Sequence, residues 1–308
     1  MDTWNEYRVV EKRRETGAVT AFVLEAVEEM GGRGGVPVEP GSHVRIKLGG
    51  SLVRAYSVVG GTSKRFTIGV ALDPSSRGGS KFLHGQVEVD NVLTISRITP
   101  SFPLAKEADT HVIVAGGIGI TAFLAALERL DAKSQNYELH FAVSEEVPFA
   151  KTIEKFGSKA KVYNKSLGQR LDLKYVLARA DTNTHIYCCG PPRLMSAVAS
   201  TAKSLGVADS SVHFEEFTVT TSGDPFTAEL KQSGKTVEVG GCETLLDVLR
   251  KAGLQVDSSC EVGNCGACKV DVCSGRIEHR GTGLVGEGRK GGMLSCVSRG
   301  VGKIVLDL

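Results

Sequence analysis

Long hydrophobic runs are missing from this sequence. No stretch approaches the ~20 apolar residues of a membrane-spanning helix. The opening residues, Met1-Asp2-Thr3-Trp4-Asn5-Glu6-Tyr7-Arg8, carry no apolar signal region. A soluble, cytoplasmic protein is therefore expected. Charge of one sign is missing too. Lys and Arg total 37 against 35 Asp and Glu, a formal net charge of +2, which gives no global case for nucleic acid or acidic lipid as a partner. A reducing cytoplasm argues against disulfides for the eight cysteines.

What is present is an ordinary globular composition, 41% hydrophobic and 23% charged, over 308 residues, enough for two or three domains. The most informative stretch lies near the C-terminus. Cys260, Cys265 and Cys268 are spaced C-x4-C-x2-C, and Cys296 follows. This is the spacing of a plant-type [2Fe–2S] centre, in which one tight loop delivers three of four thiolates. Gly263 and Gly266 let that loop fold closely, with backbone N–H groups aimed inward. Zinc would prefer two separated C-x2-C pairs, and only one is present. Cys273 falls outside the pattern and is expected to be buried.

From Tyr7 to about Ile98 the chain reads as short strands. Val19–Val27 is rich in β-formers. Val44, Ile46 and Leu48 alternate with Arg45 and Lys47, and Phe66, Ile68, Val70 and Leu72 alternate with smaller residues. Gly, Pro and Ser clusters between them predict a β-barrel or sandwich. Arg54-Ala55-Tyr56-Ser57 places a cation, a ring and a hydroxyl within four residues of strand. Ser75-Ser76-Arg77-Gly78-Gly79-Ser80 offers backbone N–H groups, a hydroxyl and a guanidinium, all suited to a phosphate.

After Pro103 the pattern changes. His111–Ala115 reads as a buried strand, Gly116-Gly117-Ile118-Gly119-Ile120-Thr121 as a turn, and Ala122–Leu130 as a helix. Strand, Gly-rich turn and helix can present a helix N-terminus to a phosphate, and Gly117-x-Gly119-x-x-Ala122 fits a dinucleotide fingerprint. A tight turn without a ligand is the plainer alternative. The next strand, Tyr137–Val143, ends at Ser144-Glu145-Glu146. An acidic residue there favours the ribose 2′-OH of NADH over a 2′-phosphate. A third strand, His185–Cys189, runs into Gly190-Pro191-Pro192. Cys189 would then stand at the C-terminal edge of a parallel sheet, where ligands bind, and Cys188 reads as a small buried residue.

Residues 218–225 read as a linker. Two strands, Phe226–Leu230 and Thr236–Val239, a helix over Thr244–Arg250, the cysteine loop and a last strand at Ile304–Leu306 fit a small β-grasp domain. From Pro225 to Leu308 there are ten acidic and eleven basic residues. Arg276, His279, Arg280, Arg289 and Lys290 precede Cys296, as a solvated face or as a basic dock for an acidic partner.

The motifs in order resemble the phthalate dioxygenase reductase family over nearly the whole chain. The resemblance implies an antiparallel flavin-binding β-barrel over 1–104, a ferredoxin-reductase-like parallel α/β nucleotide domain over 105–218, a linker over 219–225 and a plant-type ferredoxin β-grasp domain over 226–308. It implies FMN lined by Arg54, Ala55, Tyr56 and Ser57, contacted by the backbone of Val70, Ala71 and Leu72, held at its phosphate by Arg77, Gly78, Gly79 and Ser80, and approached by Thr121 and Phe217. FMN over FAD rests on the resemblance alone. NADH is placed across Gly116, Gly117, Gly119, Ile120 and Thr121, with Glu145 at its ribose and Cys189, Gly190 and Pro191 beside the nicotinamide. Thr121, Cys189 and Ser57 are the residues implied nearest the reaction, and Cys260, Cys265, Cys268 and Cys296 the cluster ligands. The family usually has Pro after that Thr, where this chain has Ala122. The implied activity is NADH-dependent electron transfer through FMN and [2Fe–2S] to a separate terminal oxygenase, of Rieske type, acting on an aromatic or other substrate. The alternatives are a self-sufficient reductase of a small acceptor, such as a quinone or ferric chelate, and a redox-sensing protein without turnover.

Overall fold

A computed structural model describes residues 3–27, 35–49, 52–74, 78–217, 221–281 and 283–308. The chain divides into two compact units, one of Met1–Leu48 with Tyr56–Glu215 and one of Gly49–Ala55 with Glu216–Leu308.

The first unit begins with β1 (Trp4–Arg14), β2 (Val19–Ala26), β3 (Ser42–Lys47), β4 (Val53–Gly61), β5 (Arg65–Ala71), α1 (Gly79–Gln86), β6 (Val92–Ser96) and β7 (Thr99–Pro100). Their sheet order is β4-β5-β2-β1-β6-β3-β7, and pairing of β4 with β3 closes it into the expected antiparallel barrel. Phe22, Leu24, Ile46, Phe66, Ile68 and Ile95 fill its interior. β3 departs from simple alternation. Arg45 is 5% exposed, because its guanidinium lies over the Trp4 ring at 5.2 Å and that cation–π contact replaces water.

The same unit continues with β8 (Thr110–Gly116), α2 (Leu124–Ala132), β9 (Asn136–Val143), α3 (Ala150–Glu154), β10 (Ala160–Asn164), α4 (Leu173–Leu177), β11 (Thr184–Cys189), α5 (Pro192–Ser204) and β12 (Val212–Glu215). The order β10-β9-β8-β11-β12, parallel throughout, is a doubly wound sheet. One expectation needs correcting. The helix predicted from Ala122 starts at Leu124, and a 3-10 turn over Gly117–Ala122 stands between strand and helix. Two chain segments crowd there, and the tighter turn keeps the backbone clear of the β11 end.

The second unit holds β13 (Phe226–Leu230), β14 (Lys235–Val239), α6 (Leu245–Lys251), β15 (Lys269–Glu278), β16 (Gly292–Leu294) and β17 (Arg299–Leu306), in the sheet order β14-β13-β17-β15-β16. β13 and β17 are parallel neighbours, and Leu245, Val248 and Leu249 of α6 pack on this sheet with Phe226, Leu230 and Ile304. This is the β-grasp arrangement. Thr244 caps α6 by accepting from the Asp247 N–H at 3.0 Å. Cys273 is exposed, contrary to expectation, because β15 shifts register between Val272 and Ser274 and the bulge turns the extra residue outward.

One long-range feature has no trace in the local pattern. Arg299 is 2% exposed, yet every direction of its guanidinium is answered. It donates to the carbonyls of Thr221 at 2.9 Å, Asp224 at 2.9 Å, Gly240 at 3.0 Å and Glu243 at 2.9 Å, and lies over the Phe226 ring at 5.0 Å. The backbone at Thr221 and Asp224 is thereby pinned to the strands of the β-grasp unit. Replacement by Met removes the donor from all four carbonyls, of which that of Thr221 belongs to a buried residue. Arg299→Met should therefore cost the unit about 3 kcal/mol, seen as a lower temperature of thermal bleaching of the iron–sulfur absorbance, with Arg299→Lys losing less.

Candidate functional site

The cysteine loop lies between α6 and β15. Cys260, Cys268 and Cys296 are buried and Cys265 is exposed. Cys268 and Cys296 pack with Leu246, Leu294 and Val297. The thiols stand as two pairs. Cys268 and Cys296 have their sulfurs 2.9 Å apart. The N–H of Cys260 reaches the Cys265 sulfur at 3.4 Å, while those of Asn264 and Cys265 reach the Cys260 sulfur at 3.3 and 3.4 Å. Within each pair one thiol is pushed down and its partner up, because the two share a proton. Cys265 is pulled to about 5 by its hydrogen bond with Cys260, helped by backbone N–H groups and opposed by burial. Cys268 is lowered by its hydrogen bond with Cys296, and Cys260 and Cys296 rise.

Two pairs fit two irons, each taking two protein sulfurs. They do not fit one zinc, which would draw all four to a single point. Gly263, at φ 81°, is required for the loop's close approach. A Cβ there would come within 2.7 Å of the Val297 side chain and 3.0 Å of Gly281.

The cations ahead of Cys296 are largely engaged in their own unit. Arg280 pairs with Glu278 at 2.8 Å and donates to the Ser222 carbonyl at 2.8 Å. Arg289 donates to the carbonyls of Leu284 and Gly281 at 2.7 and 3.3 Å, and Lys290 pairs with Glu287 at 2.6 Å. The positive charge remains, but much of it serves the fold of the loop beside the cysteines.

In the barrel, β4 and β5 run antiparallel with Val58 opposite Ile68, so Tyr56–Ser57 and Val70–Ala71 lie at the same end. Ser57 and Val70 are buried, Tyr56 and Ala71 half-buried, and Leu72 exposed. Arg54 and Ala55 precede them in β4, half-buried, and Arg54 donates to the Val53 carbonyl at 2.7 Å. Two hydrogen bonds strap α1 to this end of β5. The Ser80 hydroxyl accepts from the Asp73 N–H at 3.1 Å, and His84 Nε2 meets the Val70 carbonyl at 3.0 Å. Gly78 and Gly79 therefore open α1 beside the β5 end. The first N–H groups of a helix have no intrahelical acceptor, which suits a phosphate. Arg77 lies outside the described residues.

Thr121 meets the barrel. A Cβ on Gly69 of β5 would come 2.7 Å from the Thr121 methyl. The Thr121 hydroxyl donates to the Ile118 carbonyl at 2.9 Å, so it braces its own turn. Ile120 is buried. The turn's glycines have a packing role that the fingerprint did not convey. A Cβ on Gly119 would strike the Cys189 carbonyl oxygen at 2.3 Å, and one on Gly116 would strike Pro191 at 2.7 Å. The β8 turn and the Cys189-Gly190-Pro191 corner thus meet backbone to backbone. Gly117, at φ 53°, faces open space. Glu145 is exposed just past β9. Its neighbour Glu146 is engaged, accepting from the Gly17 N–H at 2.6 Å. Phe217 follows β12, half-buried.

The residue that sequence reasoning missed is Glu215. It is the register partner of Cys189 at the C-terminal edge of the sheet and is 9% exposed. Its Oε2 has no hydrogen-bond partner among the described residues. Burial raises its carboxyl to about 8, so it keeps its proton at neutral pH. Burial, and next the Glu215 carboxyl, push the Cys189 thiol well up, so Cys189 is no thiolate nucleophile. The available signal was an acidic residue closing a short strand of a parallel sheet.

Comparisons with known proteins agree with this geometry. A family model described as a 2Fe-2S iron-sulfur cluster binding domain matches residues 228–300. Another, described as the N-terminal domain of the dimethylamine monooxygenase subunit DmmA-like family, matches residues 97–212. The heme-dependent oxidative N-demethylase beta subunit of Ectopseudomonas mendocina (strain ymp) is 35% identical over 100% of both chains. The carnitine monooxygenase reductase subunit of Escherichia coli (strain K12) is 36% identical over 87% of this chain and 88% of that one. A reductase of Gibberella moniliformis is 37% identical over 83% of this chain, which spans 48% of that protein's length. Among solved structures, phthalate dioxygenase reductase, described as a modular structure for electron transfer from pyridine nucleotides to [2Fe–2S], matches at a TM-score of 0.81 and 29% identity, over 99% of this chain and 98% of that one. The chain belongs to the phthalate dioxygenase reductase family.

Proposed function

We propose that this chain is the NADH-oxidising reductase component of an oxygenase system, carrying electrons through FMN and a [2Fe–2S] cluster to a separate terminal oxygenase. The observation that carries this is the gathering of four thiols into two pairs, in a chain whose other unit is a barrel joined to a dinucleotide-type sheet. When bound, flavin supplies a carrier that accepts two electrons from NADH and releases them singly.

The division of labour follows the chain: 1–104 for flavin, 105–218 for NADH, 219–225 as linker and 226–308 for the cluster. In this reading the Arg54–Ser57 strand and the Val70–Leu72 edge line the ring, with Phe217 against it. The Gly78–Ser80 helix start, with Arg77, holds the phosphate. The turn over 116–121 and the Cys189–Pro191 corner seat the nicotinamide half, and Glu145 receives the ribose. The chain's task is to fix the separation and orientation of the rings. Glu215, kept protonated, can donate a hydrogen bond to a ligand at the sheet edge, which an ionised carboxylate cannot. Cys265 is the exposed cluster ligand, so the side it faces is the proposed exit toward the partner.

A Rieske-type oxygenase is the expected acceptor. The full-length N-demethylase relative and the dimethylamine monooxygenase domain model support a second reading, a haem-dependent oxygenase acting on an N-methylated amine. No helix of the described residues is long and apolar enough to cross a membrane. The proposed site of action is the cytoplasm, which keeps thiols reduced.

Cys265→Ser should abolish reduction of the oxygenase while leaving NADH–ferricyanide activity within about twofold. A variant that still reduces the oxygenase would contradict the relay. Mass spectrometry of the released flavin should give FMN, not FAD. The wild-type kcat/KM for NADH with ferricyanide should fall as pH rises through about 8, where Glu215 loses its proton, and Glu215→Gln should flatten that limb.

A further inference from the structure

The cysteine loop contains a backbone outlier that the ligand spacing does not explain. Glu261, next to the ligand Cys260, has φ 55°. This left-handed conformation is strained for an L-residue with a Cβ. Glycines at 263 and 266 supply such angles freely, yet position 261 carries a glutamate.

The side chain accounts for the choice. Arg250, in the last turn of α6, donates through Nη2 to Glu261 Oε1 at 2.8 Å and to the Ser258 hydroxyl at 2.6 Å. The Ser258 hydroxyl also reaches Glu261 Oε1 at 3.4 Å. The ion pair is sheltered, its side chains 20% and 12% exposed, and Ser258 is buried. A sheltered, branched pair of this kind is less screened by salt than a surface one and is fixed in geometry by two hydrogen bonds from one guanidinium nitrogen. It ties both flanks of Cys260 to a helix held in the core by Leu245, Val248 and Leu249.

The consequence falls on the sulfur. With residue 261 left-handed, the loop doubles back. The N–H groups of Asn264 and Cys265 then point at the Cys260 sulfur, at 3.3 and 3.4 Å. Hydrogen bonds to cluster sulfurs help set the reduction potential, because reduction adds negative charge that N–H donors stabilise. We propose that the Arg250–Glu261 ion pair, anchored at Ser258, is a potential-setting device: it holds Glu261 left-handed so that the Asn264 and Cys265 N–H groups bond the Cys260 sulfur. Arg250 and Glu261 are positioning residues, acting through the loop and touching no iron. The inference rests on the cluster reading above.

The test compares Glu261→Ala with Glu261→Gly in the full-length reductase. Both variants remove the same charge and the same hydrogen bonds. They differ by one Cβ, which only the alanine must carry at positive φ. The cluster potential, read by an EPR-monitored redox titration, should be lower in the alanine variant. The expected gap is about tenfold in electron partition, which is about 59 mV for one electron. Iron should also pass to a chelator several-fold faster from the alanine variant. Arg250→Met should lower the potential further in the wild type than in the Glu261→Gly background, where there is no left-handed strain for it to hold. A cluster retained by the glycine variant and lost by the alanine variant supports the proposal as well. Equal potentials, an alanine value above the glycine value, or loss of the cluster from both variants would overturn it. Wild-type protein without two irons per chain would instead fail the cluster reading itself.

Discussion

Thiol sulfurs brought as close as those of Cys268 and Cys296, 2.9 Å apart, cannot both ionise unless positive charge stands beside them. That constraint shapes the second unit. The sulfurs stand as two pairs, Cys260 with Cys265 and Cys268 with Cys296. Two such pairs would suit a group that takes two protein sulfurs at each of two irons. α6 buries the site from one side through Leu246, and the backbone of Thr221 and Asp224 is clamped to the same unit through Arg299. The fold of residues 226–308 is best understood as a cage that makes sulfur convergence tolerable.

The first unit answers a different constraint, that two flat rings must meet at a fixed separation. The barrel presents a strand end and a helix start, held together by Ser80 and His84. The sheet presents a turn braced by Thr121. The two meet where Gly69 has no side chain to keep the Thr121 methyl away. Burial then tunes the groups at the sheet edge. Cys189 and Glu215 both keep their protons at neutral pH, so this edge offers neutral donors rather than charges.

Features that depend on short spacing were legible in the sequence. The strands on either side of the cysteine loop, the existence of a turn between β8 and α2 and the apolar positions Phe66, Ile68 and Val70 of β5 were legible, because local geometry dictates them. Features that depend on distant partners were not. Arg299 gave no sign that it would collect the carbonyls of Thr221, Asp224, Gly240 and Glu243. Arg45 read only as a polar residue alternating with apolar ones, because nothing local places Trp4 beneath it. Cys273 read as buried, because a bulge has no period. The basic residues before Cys296 read as a solvated face or a dock, and several are engaged by carbonyls and carboxylates nearby. The turn glycines were read as a phosphate cradle, while Gly116 and Gly119 also serve contact between two backbones.

The central claim is that this chain gathers four cysteines for a two-iron centre that NADH can reduce through flavin. Its most direct test is metal and sulfide analysis of the purified wild-type chain, joined to EPR after anaerobic addition of NADH. The account predicts about two irons and two acid-labile sulfides per chain, with a reduced [2Fe–2S] signal that develops with NADH alone. One zinc per chain, or a two-iron centre that NADH leaves oxidised and EPR-silent, would contradict it.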